Sequence, residues 1–184
     1  MVGMAGETTS DGVSRTRWLD KGEREAWLNL VRTLVRLPAV LDAQLARDAG
    51  LNHFEYMVLA MLSERRSRTL RASDLARVVN SSLTRLSNVV GRLEGRGLLA
   101  RFPDPHDGRA TLVHLTDAGL KLIGEAAPGH VDTVRRTVFD PLVLGDVEAL
   151  RSALGRILDE IDPDALTRPL PVEVEPHPGR SEAQ

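Results

Sequence analysis

Ser73–Arg101, SDLARVVNSSLTRLSNVVGRLEGRGLLAR, runs directly into Phe102–Gly119, FPDPHDGRATLVHLTDAG, and together these stretches decide how the chain folds. Ser73 stands as a cap ahead of a short helix carrying Leu75, Ala76 and Val79. Asn80 and Ser81 make a turn, and Ser82 caps a second helix that runs to about Arg96 and stops at Gly97. From Leu98 the pattern changes to strand alternation. Leu98–Phe102 and Ala110–Leu115 flank the turn-forming stretch PDPHDG, which predicts a β-hairpin with a long tip. Short helix, tight turn, second helix, hairpin is the order of a winged helix-turn-helix.

On a helical wheel of the second helix, Leu83, Leu86, Val90 and Leu93 share one face and are expected to pack on Leu75 and Val79. The opposite face holds Thr84, Ser87, Asn88 and Gly91, flanked by Arg85 and Arg92. Short polar side chains let a helix enter a major groove about 12 Å wide, where Asn can bond adenine and Arg guanine through paired hydrogen bonds. Ser82 and the first amides of the helix suit a backbone phosphate. Arg109 at the hairpin suits a minor groove, because its flat guanidinium is weakly hydrated, with Asp107 beside it as the orienting partner.

Outward from this centre the chain reads as helix. Asp20 and Glu23 form a capping box, and Trp27, Leu30, Val31, Leu34, Leu37, Leu41 and Leu45 draw an apolar stripe that Pro38 should kink or divide and Gly50 should end. Asn52 and Glu55 open a further helix to about Glu64, followed by an arginine-rich loop and a very short strand at Thr69–Arg71. Thr116 caps a helix through Leu120, Ile123, Val131, Val134 and Val138, in which Pro128 and Gly129 mark a bend or break. The last helix is Asp146–Ile161. The expected layout is a mainly α chain with a small β wing: a disordered arm at 1–16, dimerisation helices at 17–50 and 116–162, a DNA-binding domain at 51–115, and a Pro/Glu-rich disordered tail at 163–184. A small winged domain cannot cover the outer apolar stripes alone, which predicts a two-fold partner.

The chain has 184 residues, 42% hydrophobic and 27% charged, ordinary values for a globular protein, and no apolar run long enough for a membrane span. No cysteine is present, which excludes disulfides, thiolate metal sites and thiol redox sensing. With no secretory pattern at the N-terminus, a cytoplasmic location is expected. The net charge of −2 is unevenly spread: between Glu64 and Arg109 ten arginines face five acids, leaving +5 there and −7 elsewhere. A phosphate-binding surface requires such concentration.

Residues from about Leu51 to Gly119 resemble the MarR family of bacterial regulators. The resemblance is carried by the two stretches quoted first, by Arg-Leu-Glu-x-x-Gly-Leu at Arg92–Leu98, and by the pattern Asp107, Arg109, Leu115, Thr116 and Gly119. It implies a homodimer with intertwined terminal helices that binds pseudo-palindromic operators in double-stranded DNA, usually as a repressor and often released by a small ligand. The matching contact positions are Ser82, Thr84, Arg85, Ser87 and Asn88 on the helix and Arg109 in the wing, with Arg92 on the flank of the same face. Gly108 stands where many members carry a second arginine, which weakens or re-bends the wing contact. The family's urate responders are a poorer match, since Tyr56 and Met57 replace their Trp-Asp pair and Val89 their ligand arginine.

For a small aromatic or lipophilic effector the candidate pocket residues are Trp27, His53 and Tyr56; all three equally suit a core or an interface. His53, His106, His114, His130 and His177 form no ligand-spaced cluster, so no metal is expected. No nucleophile motif, phosphate loop or carboxylate pair appears, and neither an enzyme nor a cofactor is expected. The alternatives are a winged-helix protein-interaction module, which would show an apolar recognition face, and an activator or a regulator that needs no ligand.

Overall fold

The computed structural model describes residues 16–163, so the disorder expected at 1–16 and 163–184 falls almost wholly outside the described residues. Elements follow in the order α1 (Lys21–Ala49), α2 (His53–Ser63), β1 (Thr69–Arg71), α3 (Ala72–Val78), α4 (Leu83–Gly95), β2 (Leu99–Asp104), β3 (Asp107–Leu115), α5 (Asp117–Val134), a π-helical turn (Arg135–Phe139) and α6 (Asp146–Ile161). The chain divides into two compact units between Leu37 and Pro38. Among the described residues no helix is long and apolar enough to cross a membrane.

Local chemistry sets the helix ends. The Glu23 amide donates to Asp20 Oδ1 at 2.8 Å and the Asp20 amide to Glu23 Oε2 at 2.9 Å, closing the first capping box. Asn52 and Glu55 close a second in the same way at 2.8 and 3.0 Å. Gly50, at φ +62°, ends α1, with the Leu51 amide reaching back to the Leu45 carbonyl at 3.3 Å. In the first unit Trp18, Leu19, Trp27, Leu34 and Val35 are exposed.

The second unit is built on Leu45, Leu51, Leu59, Leu62, Leu75, Leu86, Leu93 and Leu115, all at most 1% exposed. The sheet order is β1-β3-β2, antiparallel throughout, so β3 is central. Thr116 and Gly119 join this sheet to α5. The Thr116 hydroxyl caps the helix by accepting from the Gly119 amide at 3.1 Å, and donates to the Gly97 carbonyl at 2.7 Å. A Cβ on Gly119 would overlap the Leu98 carbonyl oxygen and a Leu115 methyl, so only glycine lets α5 start this close to the end of α4.

Several expectations need correction. Ser73 does not cap α3; the cap position is Arg71, without a side-chain cap bond, because Arg71 is still paired with Leu112 in the ladder and the helix starts one residue later. Leu83 is 55% exposed, because it lines an open cleft between the start of α3 and the wing, whereas Val89 is buried in the core. The hairpin tip is short, since Asp104 pairs with Asp107 and only Pro105 and His106 lie between the strands. The Asp104 side chain closes it by accepting the His106 amide at 2.8 Å. Neither Pro38 nor Pro128 breaks its helix. The irregularity falls later, in the π turn, where the Asp140 amide bonds the Arg135 carbonyl at 2.8 Å.

Candidate nucleic-acid interface

Helix α4 is buried through Leu86, Val89, Val90 and Leu93, which leaves Ser82, Thr84, Arg85, Ser87, Asn88 and Arg92 exposed on its outer side. Ser82 Oγ accepts the Arg85 amide at 3.2 Å, so the cap is formed and its hydroxyl proton remains free to donate. Two clefts flank the helix. One, of about 840 Å³, lies toward α1 and α2 and is lined by Asp42, His53, Phe54, Met57, Arg85 and Asn88 among others. The other, of about 350 Å³, lies toward the wing and includes Ser73, Leu83, Ser87, Asp107, Arg109 and Thr111. The polar side of α4 is therefore a ridge between two depressions.

The arginines differ more than their sequence suggests. Arg92 is paired with Glu55 at 3.1 Å, the same carboxylate that closes the Asn52 capping box. Arg101 is held by Glu94, its Nε at 2.9 Å, and this contact keeps the Glu94 carboxyl below its usual range. Arg77 pairs with Asp74 at 2.8 Å and Arg68 with Asp117 at 2.7 Å. Arg96 donates to the Gly50 carbonyl at 2.9 Å. Glu55 and Asp117 lie outside the segment counted above, so its excess drops from +5 to +3 when they are included.

Arg85 places its guanidinium 4.3 Å from the Phe54 ring centre, a stacking that leaves its N–H edge exposed. The Arg109 side chain has no partner among the described residues; only its amide is engaged, donating to Asp107 Oδ1 at 3.1 Å. The Asp107 carboxylate thus holds the backbone of the wing at Arg109.

Of the pocket candidates, Tyr56 and His53 converge on His130. The Tyr56 and His130 ring centres are 4.4 Å apart, and those of His53 and His130 5.8 Å. Burial pushes both histidines below their ordinary pKa, with mutual repulsion adding to the effect at His130. Burial raises the Tyr56 phenol. Only His53 lines the larger cleft, while Trp27 belongs to the first unit and is exposed. Among the described residues no group of three or more acids, histidines or cysteines could hold a metal ion.

Sequence reasoning missed His130, which no spacing connects to His53. It also missed Asp104, which is 6% exposed and accepts both the His106 amide and the Arg71 guanidinium, the latter at 2.7 Å. These two donors, the amide first, hold its carboxyl below the usual range against the opposing effect of burial. The Asp-Pro-x-Asp turn was the available signal, but its partner Arg71 lies 33 residues earlier.

With this geometry in place, three known proteins are informative. A regulator from Bacillus subtilis, YkoM, is 30% identical over 117 residues, covering 62% of this chain and 75% of its own length. Another from the same organism, YxaD, is 32% identical over 91 residues; the match takes in 50% of this chain and 62% of YxaD, less than two thirds of it. Among solved structures, Sco3205 of Streptomyces coelicolor, a MarR family regulator in complex with DNA, superposes with a TM-score of 0.77 at 36% identity, covering 82% of this chain and 94% of that one. The MarR family pattern itself matches residues 51–111, from just after α1 through α2, α3 and α4 and into the wing. The chain belongs to the MarR family of winged-helix transcriptional regulators, which are not enzymes.

Proposed function

We propose that this chain is a homodimeric, sequence-specific duplex-DNA-binding regulator, a repressor that a small aromatic or lipophilic molecule releases. The observation that carries the reading is the exposed polar ridge of α4 beside an Arg109 side chain that has no partner among the described residues. Arginine partnerships elsewhere leave Arg85 and Arg109 as the cations best placed for phosphate and groove. Ser82, Thr84, Ser87 and Asn88 then face the bases and backbone, with Asp107 holding the wing and Arg92 contributing through the position of α2. Leu83, exposed on the same helix, suits a thymine methyl. That the similar Sco3205 is solved in complex with DNA supports the DNA-binding reading.

In this reading 51–115 bind DNA while 17–50 and 116–162 form the dimer, which supports two recognition helices at the pseudo-palindromic spacing of about 34–36 Å. Exposed Leu154, Ile157, Leu158 and Ile161 on α6 supply apolar surface for that contact. A cytoplasmic place goes with a role on the chromosome. The larger cleft, about 840 Å³, is of the size small ligands use and combines apolar Phe54 and Met57 with polar His53 and Asn88. A ligand there would sit against α4 itself, which is a direct route to release.

The test is selection of duplexes from a genomic library by purified protein, then binding of the selected sequence over a salt series. A selected pseudo-palindrome bound with steep salt dependence supports the proposal, and addition of an aromatic metabolite panel should release it. Protein that enriches no sequence and shows no salt-dependent affinity for any duplex removes it.

A further inference from the structure

One buried carboxylate in the wing is held from the far side of its sheet. Arg71 stands on β1, paired with Leu112 of the central strand β3, while Asp104 stands on β2 at the opposite edge. Arg71 Nε and Nη2 both lie 2.7 Å from Asp104 Oδ2, so one ion pair spans the sheet from edge to edge. The other carboxylate oxygen holds the His106 amide in the tip. Asp104 is buried although Phe102 and Pro103 before it and Pro105 to Arg109 after it are exposed.

The place of this pair matters. Pro103 pairs with Thr111, and the same register would set Asp104 against Ala110; instead it pairs with Asp107. Gly108, Arg109 and Ala110 are left without opposite residues on β2, so ladder hydrogen bonds to β2 cannot hold them. Arg109 sits in that unsupported stretch. What ties it down is the Asp107 bond to its amide on one side and the Asp104 grip on the strand below. Because Arg71 is also the N-cap position of α3, the grip connects wing and helix-turn-helix beside the cleft that Ser73, Ser87 and Arg109 share.

We propose that Asp104, gripped by Arg71, is a positioning residue that fixes the wing segment carrying Arg109 at the height the duplex requires. This rests on the DNA-binding reading above and adds to it a residue that itself touches no nucleic acid. The pair is charge-assisted, and with Oδ1 taken by the His106 amide both carboxylate oxygens are engaged.

The test uses Asp104→Asn, Arg71→Gln, Arg109→Ala and the double variant Asp104→Asn/Arg109→Ala in the full chain. Hydrogen exchange in the free protein should speed up at residues 105–110 in the first two variants and stay unchanged in α2 and α5. Binding to a labelled duplex selected by the wild type should weaken about tenfold for each of them, the size of one lost charge-assisted contact. The salt slope should fall by about one, as for Arg109→Ala. The double variant should bind no more weakly than Arg109→Ala alone, a non-additivity that general destabilisation would not produce. Arg71→Gln alters the exposed partner only, so it serves if Asp104→Asn fails to fold. Unchanged wing exchange, or a loss from Asp104→Asn that adds in full to that of Arg109→Ala, overturns the proposal. A wild type that binds no duplex sinks the DNA-binding reading instead, and the exchange comparison still judges the grip.

Discussion

Asn88 and Arg92 lie one turn apart on the same exposed side of α4, yet their surroundings assign them different work. Asn88 is exposed and borders the larger cleft, whereas Arg92 is committed to Glu55, whose side chain is 11% exposed. Replacing Asn88 by Ala should lower the ratio of operator to random-duplex affinity, by roughly 1–3 kcal/mol if it reads a base. Arg92→Ala should lower stability toward urea while changing that ratio little, because it leaves a nearly buried carboxylate without its cation. Competition binding and unfolding curves on both variants check the pair. At Gly119 the cost is steric: a methyl has no room beside the Leu98 carbonyl, and Gly119→Ala should cost roughly 1–3 kcal/mol in a chemical melt. Thr116 and Gly119 were legible as a pattern in the sequence, but the contact that requires the glycine was not.

Elements were read well wherever their ends are made by neighbours. The strand Thr69–Arg71, both capping boxes, the left-handed Gly50 and Gly97, and α6 at Asp146–Ile161 all stand where the sequence had them. The junction of α2 with α5 is another matter, since His53, Tyr56 and His130 come together there from separate elements. Both histidines have folded pKa values below the ordinary 6.5, so the native protein binds fewer protons than the unfolded chain once the pH falls below that value. Stability should therefore be level well above pH 6.5 and decline as the pH falls through that value. Asp42, whose carboxylate accepts the His53 amide at 2.6 Å, opposes the shift at His53 but does not abolish it. His130→Gln should flatten the decline, as followed by urea midpoints at a series of pH values. An unchanged pH profile would show that the ring cluster titrates no differently from free histidine.

At the scale of the molecule, the second unit has a closed core and a set of apolar side chains that stay outside it. Val147, Leu154, Ile157, Leu158 and Ile161 recur along α6 at the spacing of one helix face, and all are exposed. If the proposed homodimer uses this face, Ile157→Glu should halve the sedimentation mass and flatten the salt dependence of DNA binding; a wild type that sediments as one chain, or a mass unchanged by the substitution, counts against this face as the contact. The sequence by itself determined the order of elements, most helix ends and the polar side of α4, because caps, glycine turns and periodicity act over about four residues. Tertiary structure alone decided which cations are free. Arg92 meets Glu55, Arg71 meets Asp104 and His53 meets His130 across 37, 33 and 77 positions, pairings that no local rule selects. It also turned Leu83 outward and left the Arg109 side chain without a partner among the described residues. Such choices follow from which surfaces the core brings together, and burial is a property of the packed chain and not of any segment.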